Sequence, residues 1–453
     1  MTPGAVWPRL ALALAALLLV PAVWARVEIE HWTQAGGARV YLVQSRSLPM
    51  VDVQVDIDAG ARRDPANQAG LASATASLAM RGVRAGADGP PLDENALGEA
   101  WADLGASFGA DASADRMVFR LRSLTDPLLL PRALALAARQ LGEPSFPAEV
   151  WQREREQWVA ALREADTRPG TVAAKAFDAA VYGDHPYGYQ TTEASLSRIT
   201  VQDMRALYQR SVLRCRAKVS IVGDVSRAQA DALVDRLFAR LDSGVPGQPC
   251  PVLPPVPEVQ PLTAPAHTVS IPFASAQAHV LIGQPGIRRS DPDFLALTVG
   301  NYVLGGGGFV SRLYAQVREQ RALSYSVYSY FSPGLHAGAF TVGLQIRPDQ
   351  AAQAIALTHD VVARFVRDGP TETELQAAKD NLIGGFALRL DSNRKLLDNV
   401  ANIAWNDLPL DYLDTWAQAV ARLTVAQVRS AFERVLRPAT MVTVVVGARD
   451  ARP

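Results

Sequence analysis

The sequence predicts an α+β fold built twice, as two homologous α/β-sandwich domains joined by a proline-rich linker. Three observations carry that expectation. A run of prolines divides the chain near its middle, the segments closing the two halves repeat each other, and each half mixes period-two strands with long helical stretches.

The stretch from Val245 to Ala266 holds more proline than a helix or a central strand tolerates, so it reads as an extended linker. The repeat follows from the halves it separates. Ile199 to Arg210 followed by Val219-Ser-Ile-Val-Gly223 is echoed by Leu423 to Arg434 followed by Thr443-Val-Val-Val-Gly447, at a constant offset of 224 residues. In each copy a threonine precedes a hydrogen-bonding side chain by three: Thr200 with Asp203, Thr424 with Gln427. That spacing predicts a capping box at a helix start. Met204, Leu207 and Tyr208, matched by Val428, Ala431 and Phe432, recur at helical spacing, and a β-branched run ending in glycine follows. Each half therefore closes with a helix and then a strand. Each also opens with strands, Val51 to Asp58 in the first half and His279 to Gly283 in the second. A further helix is predicted after the Gly369-Pro370 break, capped by Thr371 with Glu374.

A chain of 453 residues exceeds one compact core, and roughly 100 to 200 residues per domain predicts two to four domains. The expected division is a signal peptide at 1–25, a first domain at 26–243, the linker at 244–267 and a second domain at 268–453. Within the first segment Arg9 is the only charge, Leu10 to Val20 is apolar, and Val23-Trp24-Ala25 ends it with a small residue, the pattern of a secretory signal. The apolar run is about half of the ~20 residues a membrane span needs, so no stable span is expected. Lys plus Arg and Asp plus Glu are 45 each, which removes the electrostatic basis for a nucleic-acid or anionic-membrane partner. Cys215 and Cys250, 35 residues apart, fit no C-x-x-C pattern and are read either as one disulfide or as two unrelated thiols.

Three landmarks carry a family resemblance. Asp58-Ala-Gly-Ala-Arg-Arg-Asp-Pro followed by Ala69-Gly-Leu-Ala72, then Tyr182-Gly-Asp-His-Pro-Tyr-Gly188, then Ile221-Val-Gly-Asp-Val225, resemble in order the pitrilysin/insulinase-type zinc peptidases, including the mitochondrial processing peptidase. The resemblance implies that the helix after Gly-Leu-Ala should carry H-x-x-E-H, two imidazoles one turn apart for zinc and a glutamate to activate water. Ser73, Ala76 and Ser77 stand at those three positions. The third ligand of the family, a glutamate on a following helix, is expected near Ala161 or Arg163, counting from Pro169 or from Glu156. Independently of any alignment, the six histidines are His31, His185, His267, His279, His336 and His359, and no two lie within five residues of each other. The expectation is no metal in this chain.

The second half keeps other family features. Leu304-Gly-Gly-Gly-Gly-Phe-Val-Ser-Arg-Leu313 resembles the family's glycine-rich loop, which makes Gly305, Gly306, Gly307 and Gly308 candidates for substrate contact against the plainer reading of a tight turn. Arg318 and Tyr325, seven apart, match the pair that in the family reaches across the cavity to the zinc half. The resemblance implies that Tyr325 donates toward an oxyanion and Arg318 holds a substrate carbonyl. His185 is read as a satisfied loop histidine, and Trp151, Trp158 and Leu162 as core.

The resemblance therefore implies a periplasmic, non-zinc subunit that is inactive alone. Its partner would be a homologous subunit bearing H-x-x-E-H and zinc, and its substrate an unfolded peptide. The rival reading is a catalytically dead structural, assembly or peptide-binding protein of the same fold. A third, an active enzyme with a rebuilt site, has no ligand cluster or nucleophile to support it.

Overall fold

The computed structural model describes residues 27–86, 89–241 and 250–447. The expected signal peptide lies outside these residues. The first half forms a six-stranded sheet from β1 (Glu30–Thr33), β2 (Arg39–Gln44), β3 (Met50–Ile57), β4 (Ser107–Ala112), β5 (Met117–Leu124) and β6 (Lys218–Gly223), in the order β1-β2-β6-β3-β5-β4. The second half forms a five-stranded sheet from β7 (His267–Ile271), β8 (Ala278–Pro285), β9 (Ser324–Phe331), β10 (Ala339–Ile346) and β11 (Val442–Val446), in the order β7-β11-β8-β10-β9. Leaving out β1, the two orders coincide strand for strand. Only β2–β6 and β7–β11 run parallel; every other pair is antiparallel.

The helices repeat as well. In the first half they are α1 (Leu71–Ala79), α2 (Glu94–Asp103), α3 (Leu129–Gly142), α4 (Ala148–Ala165), α5 (Pro169–Tyr182), α6 (Glu193–Ser197), α7 (Val201–Ser211) and α8 (Arg227–Leu237). In the second they are α9 (Phe294–Asn301), α10 (Ala351–Asp368), α11 (Glu372–Gly384), α12 (Asn393–Trp405), α13 (Tyr412–Ala421) and α14 (Val425–Val435). Adding 224 to the first residues of α4, α5 and α7 lands on the first residues of α11, α12 and α14. The capping boxes expected at Thr200, Thr371 and Thr424 are all formed, each threonine accepting from the third residue on while that residue's side chain returns the bond.

The halves exchange one helix each. In α5, Ala173, Phe177 and Val181 turn away from their own sheet and pack with Val442, Val444 and Val446 of β11 in the second. Gly283 of β8 has no room for a side chain, since a Cβ there would meet the Phe177 ring at 2.8 Å. In return α12 lays Leu397, Val400 and Ala404 into a cluster with Tyr41, Val43 and Val222 of the first sheet. Lys218 of β6 donates to the carbonyl of Trp405 at 2.9 Å and to Asp407 at 3.0 Å. Each large side chain buried this way contributes about 1.5 to 3 kcal/mol, so the exchange fastens the halves together.

The proline-rich segment is a strap bonded to both halves. Arg63 donates to Pro254 O, His185 Nε2 to Pro257 O, and the Ala337 N–H to Glu258, each at 2.9 Å. Of the two readings of the cysteines, the disulfide holds: Cys215 and Cys250 are bonded with their Cα atoms 5.8 Å apart, tying the strap to the turn after α7.

Candidate functional site

The segment after β3 builds the first candidate site. Arg62 and Arg63 both bond Asp58 at 2.6 Å, closing a tight turn. Burial disfavours the charged Asp58, but these two guanidiniums hold its carboxyl below the usual range. Asp64 is buried, and its two oxygens accept from the backbone N–H groups of Gly70 and Ala72 at 2.9 and 3.0 Å, which caps the start of α1. Burial nevertheless pushes its carboxyl up to about 7. The turn and cap fix the rotation of α1 about its axis. Ala72, Ala74, Ala76 and Leu78 go into the core, while Ser73 and Ser77 stay half-buried one turn apart.

What faces Ser77 is Glu154 of α4. Ser77 Oγ donates to Glu154 Oε2 at 2.8 Å, and Arg81, just past the end of α1, places Nε 2.5 Å from Oε1. Glu154 is 5% exposed in its side chain and Arg81 44%. The acidic residue of α4 that meets α1 is therefore Glu154. Ala161 and Arg163, where the sequence placed that position, are both exposed, and Arg163 pairs with Glu193. One signal had been present in the sequence: Val150, Trp151, Glu154 and Trp158 share one helical stripe, and a carboxylate on an apolar stripe has a reason to be there. Arg81 carries no comparable signal.

These residues do not fit zinc. Two hydroxyls, a buried alanine and one carboxylate already neutralised by a guanidinium lack the imidazole donors zinc prefers. The positive charge beside Glu154 is Arg81. Among the described residues no cluster of three or more His, Cys, Asp or Glu side chains forms a metal site. His185 and His336 do approach, with ring centroids 5.3 Å apart. His185 is satisfied, Nδ1 accepting from the Tyr187 N–H and Nε2 donating to the strap.

The second candidate group lies at the far edge of the other sheet. After α9 the backbone widens into a π-helical turn over Tyr302–Gly306 that carries the first glycines. Gly305 is pressed against β9, where a Cβ would stand 2.6 Å from the Ser329 nitrogen, so packing alone demands glycine there. Gly306 and Gly307 fold back on Asn301 and Tyr302; Gly308 is open, with φ of 60°, and leads to Phe309 and Val310, each 74% exposed. A second π-helical turn, Tyr314–Glu319, displays Arg318, whose guanidinium lies 4.8 Å over the Tyr314 ring. Tyr325 is the second residue of the edge strand β9 and is 56% exposed. Arg318, Tyr325 and Phe309 are each exposed, and Phe309 and Arg318 both touch the Tyr314 ring.

Comparison with known proteins decides the family. Residues 39–195 match the description "Insulinase (Peptidase family M16)", and residues 198–382 match "Peptidase M16 inactive domain". A solved structure described as a peptidase M16 inactive domain from Pseudomonas fluorescens is 33% identical, covers 94% of this chain and 99% of its own, and superposes with a TM-score of 0.87. The chain belongs to the insulinase (M16) peptidase family. Within the family it is 27% identical over 407 residues to a protein of Mycobacterium tuberculosis named as a zinc protease, 89% of this chain and 90% of that one. It is also 25% identical over 395 residues to a protein of Helicobacter pylori named as a non-peptidase homolog, 85% of this chain and 86% of that one.

Proposed function

We propose that this M16 chain is the non-zinc subunit of a heteromeric periplasmic metallopeptidase. A homologous partner would supply H-x-x-E-H and zinc, and this chain would supply Arg318 and Tyr325 to an unfolded peptide. The observation that carries the reading is the contrast between its two ends. The ion-pairing capacity of Glu154 is taken up by Arg81, while Arg318 and Tyr325 stand exposed and uncommitted to any carboxylate among the described residues. A guanidinium on a helical turn and a phenol on the edge strand that follows it suit a peptide carbonyl on which charge develops. Periplasmic placement rests on the character of residues 1–25.

The test is co-expression with a homologous zinc-bearing subunit of the same organism. The single chain should hold no stoichiometric zinc and cut no peptide, and the mixed complex should show chelator-sensitive turnover. Arg318→Ala or Tyr325→Phe should lower that turnover by about 10²-fold. Chelator-sensitive cleavage by the purified chain alone overturns the proposal. The likeness to a non-peptidase homolog favours a second reading, a catalytically dead binding or assembly protein. Turnover of the mixed complex unchanged by either substitution selects it.

A further inference from the structure

The 224-residue offset that relates the halves carries Ser73 and Ser77 onto Leu297 and Asn301 of α9. Both line a cavity of about 480 Å³ bounded by α9, α12, α13 and the end of β9. Its size falls within the usual range for ligand sites.

The lining combines the rings of Phe294, Phe331, Phe386 and Trp416 with two guanidiniums, those of Arg289 and Arg389. Arg289 is 9% exposed, its guanidinium lies 3.7 Å over the Phe294 ring, and Nη2 donates to Tyr412 Oη at 3.0 Å. Arg389 lies 5.8 Å over Trp416, which itself stacks on Phe386 at 4.5 Å. Stacking on aromatic faces fixes a guanidinium plane without using its in-plane donors. Among the described residues no carboxylate lies within ion-pair distance of either arginine, whereas Arg312 with Glu374 and Arg434 with Asp291, in the same half, are paired. Arg289 is buried and Arg389 exposed, and an anion arriving at either would meet a guanidinium not already neutralised by a carboxylate among the described residues.

We infer that this cavity is a recognition subsite for a peptide carboxylate flanked by an apolar side chain, with Arg289 and Arg389 taking the carboxylate and Phe331, Phe386 and Trp416 the apolar group. The carboxylate could come from a free C-terminus or from an acidic side chain; the chemistry is shared. The inference rests on reading the chain as peptide-binding, but needs neither the zinc partner nor turnover.

The test uses the full chain alone, titrated by calorimetry with three probes: N-acetyl-Ala-Phe as the free acid, the same dipeptide as its amide, and N-acetyl-Glu-Phe-amide. The free acid should bind at least tenfold more tightly than the Ala-Phe amide, and Arg389→Ala should weaken the acid at least tenfold while leaving the unfolding midpoint in place. Arg289→Lys keeps a charge but not a forked donor pair and should give a partial loss. Recovery of affinity with the Glu-Phe amide assigns the carboxylate to a side chain; its absence assigns a terminus. Equal binding of acid and amide, no binding of any probe, or indifference to Arg389→Ala overturns the inference. Such a failure leaves the subunit reading intact, because turnover of the mixed complex is measured separately.

Discussion

If Glu154 faces Ser77 across one turn of α1, two substitutions should suffice to make a metal site. In Ser73→His/Ser77→His the two imidazoles would sit one turn apart opposite the carboxylate, a three-ligand set of the kind zinc accepts. Arg81 stands in the way: its Nε is 2.5 Å from Glu154 Oε1 and must leave before the ion enters. Because Arg81 is nearly half exposed, releasing it into water costs only about 1 kcal/mol, which predicts a zinc affinity roughly five- to tenfold higher once Arg81→Ala is added. Zinc at a hundredfold excess over its dissociation constant stabilises a folded protein by about 2.7 kcal/mol. For a chain of 453 residues the unfolding entropy is about 1 kcal/mol per degree, so the melting temperature should rise by about 3 °C. Ala76 is deliberately left unchanged, since it is buried and a glutamate there would add a packing cost to the measurement. The assays are metal content after dialysis and thermal unfolding with and without zinc. A triple variant that folds normally yet retains no zinc would refute the placement of Glu154 against α1.

The remaining expectations concern stability. Phe177→Ala empties a buried position in the exchanged helix α5 and should cost about 3 to 5 kcal/mol, read as a lower urea midpoint with earlier proteolytic release of one half from the other. Reducing the Cys215–Cys250 bridge, or Cys250→Ser, frees a loop of 35 residues and should cost about 4 kcal/mol on the loop-entropy model, measured by unfolding with and without reductant. Burial raises the carboxyls of Asp64 to about 7 and of Asp56 and Asp178 to about 6. Each holds its proton more tightly folded than unfolded, so their contribution is full below about pH 4 and is lost as the pH rises through 6 and 7. Urea midpoints should accordingly fall between about pH 4.5 and 7.5, and Asp64→Asn should flatten part of that fall.

How much of this was legible beforehand varies by feature. The capping boxes, the strands and the helix-then-strand ending of each half were readable because each is a statement about one short segment. That no two histidines stand one turn apart is readable for the same reason, such a pair being a local pattern. Counting along α4 from a distant landmark does not say which side of the helix meets α1, so it reaches the exposed Ala161 or Arg163 rather than Glu154.

The duplication, the local elements, the family landmarks and the want of two imidazoles one turn apart are all written in the order of the residues. The packed fold is needed to see that α5 and α12 change places between the halves, that Arg81 pairs with Glu154, that the two cysteines meet, and that two arginines line one cavity without a carboxylate partner among the described residues. The physical reason is range: periodicity and capping report the hydrogen bonds and burial of a single segment. Which faces touch across 70 or more residues depends on how whole layers pack, and no local pattern encodes that.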